Sequence, residues 1–215
     1  MSNIIILGAG SMGVAFSVPC SDRNHNVTIV GTHLEDRFID LINSKKIHPI
    51  LKYKIPKNVN FVKFNMLSKV INKNTKLIAV AVVSKGIEWA ATALSRVLIF
   101  NTPILILTKG LSLYQNSYEV LAHKMDRLLK KNGIKKTNIT AAGGPCLAKG
   151  LSIRVNTSII FANKQLKMAK KIADMVKTNY YHIETSKDVV GVEICAAIKN
   201  IFSMTIGASE GLCSK

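Results

Sequence analysis

Ile4-Ile5-Ile6-Leu7-Gly8-Ala9-Gly10-Ser11-Met12-Gly13 is the stretch that decides the fold. An apolar, β-type run passes directly into G-x-G-x-x-G and then into helix-compatible sequence, which is the order strand, turn, helix. In that order Gly8 makes the tight turn, Gly10 lets the backbone approach a pyrophosphate, and Gly13 lets the helix pack close to the strand. Ser11 and Met12 then lie at the helix N-terminus, whose amides and dipole face the phosphates. A second strand-like run, Val27-Thr28-Ile29-Val30, follows at the distance a βαβ unit requires. The glycine pattern alone would also suit a plain turn in some other α/β protein; the flanking strand and helix point to a dinucleotide.

Working outward, strands and helices alternate with no internal repeat and no low-complexity linker. Strands are expected at Asn3 to Leu7, Val27 to Val30, Leu77 to Val82, Ile104 to Thr108, Asn138 to Ala142, Ser158 to Ala162 and Tyr180 to Glu184. Helices are expected at Glu35 to Ser44, Ile87 to Leu98, Ser117 to Lys131 and Gln165 to Val176. Continuous apolar strands such as Leu77-Ile78-Ala79-Val80-Ala81-Val82 predict a sheet buried on both faces. The fold class is therefore α/β, a Rossmann-type doubly wound and mostly parallel sheet. Ligands of such sheets bind beyond the carboxyl ends of the strands, so Gly8 to Gly13, Gly31 to His33, Val83 to Lys85, Lys109-Gly110 and Gly143 to Cys146 are the segments of interest.

Composition bounds the partners. The chain has 215 residues, enough to bury a proper core, and a formal charge of +18. A basic surface attracts phosphate backbones, but here the lysines are spread, with small clusters only at Lys45-Lys46, Lys130-Lys131 and Lys135-Lys136, and no nucleic-acid motif accompanies them. Solvated lysine faces with an attraction for phosphorylated metabolites account for the charge, and no nucleic-acid partner is expected. Apolar runs are broken by Lys, Asn and Gly before reaching membrane-spanning length, and the N-terminal run is too short for a signal peptide, which predicts a cytoplasmic protein with no membrane span. Cys20, Cys146, Cys195 and Cys213 form no C-x-x-C pair, so reduced thiols are expected and no metal is implied.

The final segment changes character. Thr185-Ser186-Lys187-Asp188 has the T-x-x-D form of a capping box, and a long helical pattern runs on through Val189, Val192, Ile194, Cys195, Ile198, Ile201, Phe202 and Ile206. This is the start of an all-α C-terminal domain, dividing the chain into a dinucleotide-binding domain over 1–185 and a helical beginning over 186–215. Lys199-Asn200 is a polar pair set in that apolar helix. Partial burial would lower the Lys199 pKa and suit it to give up a proton; a surface lysine on an amphipathic helix is the competing reading.

Four segments together resemble the NAD(P)-dependent sn-glycerol-3-phosphate dehydrogenases: Gly8 to Gly13, Leu107-Thr108-Lys109-Gly110, Gly144-Pro145-Cys146-Leu147-Ala148, and Gly191-Val192-Glu193-Ile194-Cys195-Ala196-Ala197-Ile198-Lys199-Asn200. The resemblance implies reversible reduction of dihydroxyacetone phosphate to sn-glycerol 3-phosphate with NAD(P)H, feeding glycerophospholipid synthesis. It implies Lys199 as proton donor and acceptor at the substrate oxygen, and Lys109 as the lysine that orients substrate and stabilises negative charge. Asn200, Gly144, Pro145 and Cys146 are implied as substrate contacts, and Gly8, Gly10, Ser11, Met12, Gly13, Thr32, His33, Ser84, Lys109 and Ala148 as cofactor contacts. For Cys146 the competing reading is a small residue of an apolar pocket. Related β-hydroxyacid dehydrogenases share the architecture and a comparable lysine, and a non-catalytic nucleotide-binding fragment would keep the glycines without needing either lysine.

Departures from the family pattern are visible. The loop after Val82 reads Val83-Ser84-Lys85-Gly86 where relatives often have proline, Lys149 stands where many have an acid, and the chain ends at Lys215 where the family continues into a sizeable helical domain. The apolar helix face would then lack its packing partners, which predicts a fragment of a longer protein, with pairing to a second copy as the other way to cover the face. At the end of the second strand Gly31-Thr32-His33 carries no acid, and with His33 and Arg37 nearby NADP is admissible and slightly preferred; Glu35 and Asp36 are assigned to the start of the next helix.

Overall fold

Side chains alternate between the faces of a strand, so four consecutive apolar residues can all be buried only if both faces are covered. In the computed structural model, which describes residues 1–98 and 101–213, Ile4, Ile5, Ile6 and Leu7 are at most 2% exposed. They lie in β1 (Asn3–Leu7), which is followed by α1 (Ser11–Asp22) and the parallel β2 (Asn26–Val30). After α2 (Asp36–Lys45), a short hairpin of β3 (Ile47–His48) and β4 (Tyr53–Lys54) leads to β5 (Val59–Val62), the edge strand beside β2. Next come α3 (Leu67–Val70), β6 (Thr75–Val80), α4 (Ile87–Ser95) and β7 (Ile104–Ile106). A second hairpin, β8 (Leu111–Tyr114) with β9 (Ser117–Val120), precedes α5 (Leu121–Lys131) and β10 (Ile139–Gly143). The remaining elements are α6 (Ala148–Ser152), β11 (Thr157–Ala162), α7 (Leu166–Val176), β12 (Tyr181–Ser186) and α8 (Val189–Cys213).

The main sheet has eight strands in the order β12-β11-β10-β7-β6-β1-β2-β5, parallel throughout except for the β10–β11 pair. It winds outward in both directions from β1, so the topological switch lies between β1 and β6. Ile4 and Ile6 join one core with Phe16, Phe161, Ile172 and Tyr181, while Ile5 and Leu7 join the opposite core with Leu94, Met125 and Leu129. The expected α/β architecture is present. The lysine pairs Lys45-Lys46 and Lys130-Lys131 fall at the C-terminal ends of α2 and α5, where positive charge answers the helix dipole.

Three local expectations are corrected. The helix expected over Ser117 to Lys131 begins only at Leu121, because Ser117–Val120 pairs antiparallel with Leu111–Tyr114 across a turn whose two residues, Gln115 and Asn116, both have positive φ. Such a turn matches strand twist and usually announces itself by glycine, which is missing here. Thr185 does not cap the last helix, since β12 runs through it to Ser186; Asp188 caps instead, its Oδ1 accepting the Gly191 N–H at 2.8 Å. Finally, α8 is an unbroken 25-residue helix that by length and composition is apolar enough to cross a membrane, because Lys199, Asn200 and the glycines are carried within the helix and do not interrupt it. Val189, Glu193 and Ala196 of that helix are buried against the rest of the protein, whereas Asn200 to Cys213 are exposed throughout.

Two outcomes test this account. A Cβ at Gly13 would stand 2.2 Å from the Gly8 carbonyl oxygen, and backbone cannot rotate away, so Gly13→Ala is expected to lower the urea-unfolding free energy by about 3 kcal/mol, the upper end of overpacking effects. Asp22, at the end of α1, accepts two bonds of 2.8 Å from Arg154 and one of 2.5 Å from the Tyr180 hydroxyl, and the Arg154 guanidinium holds its carboxyl below the ordinary value. A depressed folded-state pKa contributes stability above the unfolded value and loses it as pH falls. Asp22→Asn should therefore lower the urea-unfolding free energy at pH 7 by up to about 1 kcal/mol for so exposed a pair, and the difference from wild type should begin to close below about pH 4 and shrink further as pH falls.

Candidate active site

The close approach at Gly13 brings the start of α1 against the end of β1. Gly8 itself adopts φ +111°, and a Cβ there would lie 2.8 Å from the Ala81 carbonyl oxygen just beyond β6. The switch point is thus three backbone segments in contact. Gly10 is the N-cap of α1 and has no side chain to bond the first-turn amides, and a Cβ built on it would meet nothing within 4 Å. Unsatisfied N–H groups at a 12-residue helix start, opening on free space, fit the pyrophosphate of a dinucleotide. A cleft of about 510 Å³ lies there, lined by Gly10, Ser11, Met12, Ala81 to Ser84 and Leu107 to Lys109. The Thr108 hydroxyl donates to the Val82 carbonyl at 2.6 Å and ties the β7 end to the loop that carries Ser84.

Thr32 and His33 lie just beyond β2, as expected, but the acid judged missing from that place is present in space. Asp36 begins α2, whereas Glu35 stands before it and turns its carboxylate back: Oε2 accepts the Thr32 N–H at 2.7 Å and the Ala9 N–H at 3.1 Å. A carboxylate on the glycine-rich loop is where a ribose hydroxyl is read and a 2′-phosphate is repelled, which removes the argument for preferring NADP. The sequence reading missed it because the residue lies five positions past the strand. It also missed Trp89, whose ring packs against His33 at 5.2 Å and Phe64 at 4.9 Å between centroids, forming an aromatic ridge at the ends of β2, β5 and β6.

On the other side of the cleft, Lys109 follows β7 and is half-buried. Its Nζ donates to the Gly144 carbonyl at 2.9 Å. Burial lowers its pKa, and the nearby charge of Lys199 lowers it further. Lys199 comes from α8, bonds the Asn200 amide oxygen at 3.1 Å, and lines a mostly apolar cleft of about 420 Å³ with Gly143, Gly144, Pro145, Val192 and Cys195. The structure therefore brings Lys109, Lys199, Gly144 and Pro145 together, with Asn200 exposed beside them. Cys146 is 5% exposed, packed in the core beside Lys109; burial raises its thiol pKa, and the charge of Lys109 acts in the opposite direction. Ala148 opens α6 and packs on the same core as Met12. Among the described residues no group of three or more His, Cys, Asp or Glu side chains could hold a metal ion.

One lysine just past a strand and one within a helix, beside a cleft shaped for a dinucleotide, can bind an anionic substrate and exchange a proton with its oxygen. Comparison with known proteins gives the family. A family profile described as NAD-dependent glycerol-3-phosphate dehydrogenase N-terminus matches residues 3–169. An NADP(+)-dependent glycerol-3-phosphate dehydrogenase of Archaeoglobus fulgidus is 29% identical over 210 residues, covering 97% of this chain and 60% of the relative. A glycerol-3-phosphate dehydrogenase [NAD(P)+] of Halalkalibacterium halodurans is 27% identical over 212 residues, covering 99% and 59%. The chain thus spans about three-fifths of the length of these relatives. Among solved structures, the glycerol-3-phosphate dehydrogenase of Coxiella burnetii shares the fold at TM-score 0.81 and 22% identity, covering all of this chain and 62% of that one, and the Plasmodium falciparum enzyme does so at 0.83 and 20%, covering 98% and 59%. With 167 consecutive positions matched, from the first strand into α7, the chain belongs to the NAD-dependent glycerol-3-phosphate dehydrogenase N-terminal family.

Proposed function

We propose that this chain supplies the dinucleotide site and the lysine pair of an oxidoreductase that interconverts dihydroxyacetone phosphate and sn-glycerol 3-phosphate. The observation that carries the reading is the meeting of Lys109 and Lys199 at the carboxyl edge of the sheet, next to the cleft of the glycine-rich loop. When bound, NAD(P)H supplies the hydride in one direction and NAD(P)+ accepts it in the other. The first-turn amides of α1 would hold the pyrophosphate, with Ser11, Met12 and Ser84 lining the path and Thr32, His33 and Glu35 at the adenosine end. Lys199 would donate the proton to the carbonyl oxygen on reduction and take it back on oxidation. Lys109, held by the Gly144 carbonyl and partly desolvated, would orient the substrate and stabilise negative charge on that oxygen. Asn200 and the Gly144-Pro145 turn would add contacts to the substrate. Residues 186–215 are read as the opening of a helical substrate domain, which would cover the apolar face of α8, where Ile201, Phe202, Met204 and Ile206 are 60% exposed or more. The same reading makes it a cytoplasmic enzyme feeding glycerophospholipid synthesis.

The test follows loss of reduced-nicotinamide absorbance on adding dihydroxyacetone phosphate, with the chain assayed alone and joined to the C-terminal part of the Archaeoglobus relative. Lys199→Met and Lys109→Met should each lower kcat at least a hundredfold while the nucleotide Kd, read by fluorescence titration, stays within about threefold. Nucleotide binding without turnover in either form, or turnover indifferent to both lysines, would remove the assignment. A separate titration addresses Glu35: Glu35→Gln should shift the ratio of NADH to NADPH affinity about tenfold toward NADPH, equivalent to ~1.4 kcal/mol. An unchanged ratio would show that this carboxylate does not read the ribose.

A further inference from the structure

Glu193 lies in the second turn of α8, is 5% exposed, and directs its bonds at a different helix. Its Oε2 accepts the Ala122 N–H at 3.0 Å, and the Leu121 backbone also bonds the carboxylate. The start of α5 needs such an acceptor. Its N-cap residue is Val120, which has no side-chain oxygen, and its first turn contains no acid. A residue 71 positions away in sequence supplies the cap and faces the positive end of the helix dipole.

The two ends of this bond lead to the two active-site lysines. The start of α5 is joined through the β8–β9 hairpin and Gly110 to Lys109. Lys199 is six residues after Glu193, roughly 9 Å along the same helix. Between them α8 presses on the end of β10: a Cβ at Gly143 would stand 2.6 Å from Val192 Cγ1 and 2.8 Å from the Val192 carbonyl oxygen. Packing of that kind resists separation but permits small rotation and sliding. A buried, directional hydrogen bond resists those as well.

We propose that Glu193 is a positioning residue: by capping α5 it fixes the rotation and rise of α8 that bring Lys199 beside Lys109. It touches no reacting atom. Burial lifts its carboxyl to about 7, so a neutral oxygen acceptor can serve in its place and Gln is the conservative variant. The proposal rests on the proposed function only for the importance it gives the lysine pair.

The experiment reads Lys109 itself, so it stands or falls independently of turnover. Lysines are reductively methylated with ¹³C, the Lys109 resonance is assigned from Lys109→Arg, and its titration is followed by NMR in the folded 215-residue chain. The nearby charges acting on Lys109 are those of Lys199 and Cys146, and direct loss of a carboxylate would move a lysine titration downward, opposite to the shift expected from displacing Lys199. Lys199→Met should move the Lys109 titration upward, Glu193→Ala should move it the same way, and Glu193→Gln should leave it at the wild-type position. Glu193→Ala combined with Lys199→Met should add nothing to Lys199→Met alone. A Lys109 titration unmoved by Glu193→Ala, or a fully additive shift in the double variant, overturns the proposal. Should Glu193→Ala not fold, Glu193→Asp, which withdraws the carboxylate by one methylene, must give the upward shift in its place, and an unmoved titration there overturns it equally.

Discussion

The contact of α1 with the turn at Gly8 is the constraint on which the carboxyl edge of the sheet depends. Hydrogen atoms alone separate Gly13 from the Gly8 carbonyl, and the same turn meets the chain leaving β6 with almost no clearance. Close packing of backbone on backbone leaves no side chain to adjust, so the three segments hold one another rigidly. Because the contact sits where the winding of the sheet reverses, the loops to either side diverge and a crevice opens between them. The first-turn amides of α1 are presented into that crevice as a consequence of packing, before any ligand enters.

The electrostatics of the site are built on this frame. An acid beyond β2 and lysines at the opposite end give the crevice a polarity along its length, with Glu35 on the amides of Ala9 and Thr32 and Lys109 on the carbonyl of Gly144. Glu35 and Lys109 are held by backbone, so their positions follow from the strand ends and not from the rotamer freedom of a long side chain. Two like charges close together in a partly desolvated place favour an anion between them. The overall basic character of the chain acts in the same direction at longer range.

Much of the architecture was legible in the sequence because buried parallel strands leave an unmistakable trace. Every strand expected from an apolar run is found, with ends shifted by at most two residues. The misses have two physical causes: a determining contact that lies outside the segment being read, and elements too short to show a period. Ser117 to Val120 reads as helix until its pairing with Leu111 to Tyr114 is known, and β5, at four residues, is too short to stand out. Glu35 and Asp36 look alike as helix-start acids, and only the fold shows that one of them bends back to Ala9. Lys109 and Lys199 could be picked out singly by their place after a strand and within an apolar helix, but their proximity is a product of topology.

The last helix is anchored over its first turns and unsupported beyond them. From Ala196 to Cys213 it extends roughly 25 Å, with Lys199 close to the fulcrum. It is therefore a lever. A tilt of about 10° at the anchored end carries the far end through ~4 Å while moving the backbone of the lysine by about 0.8 Å. Whatever packs on the outer half can be displaced several times further than Lys199 moves, and conversely a small change at the anchored end is amplified at the tip.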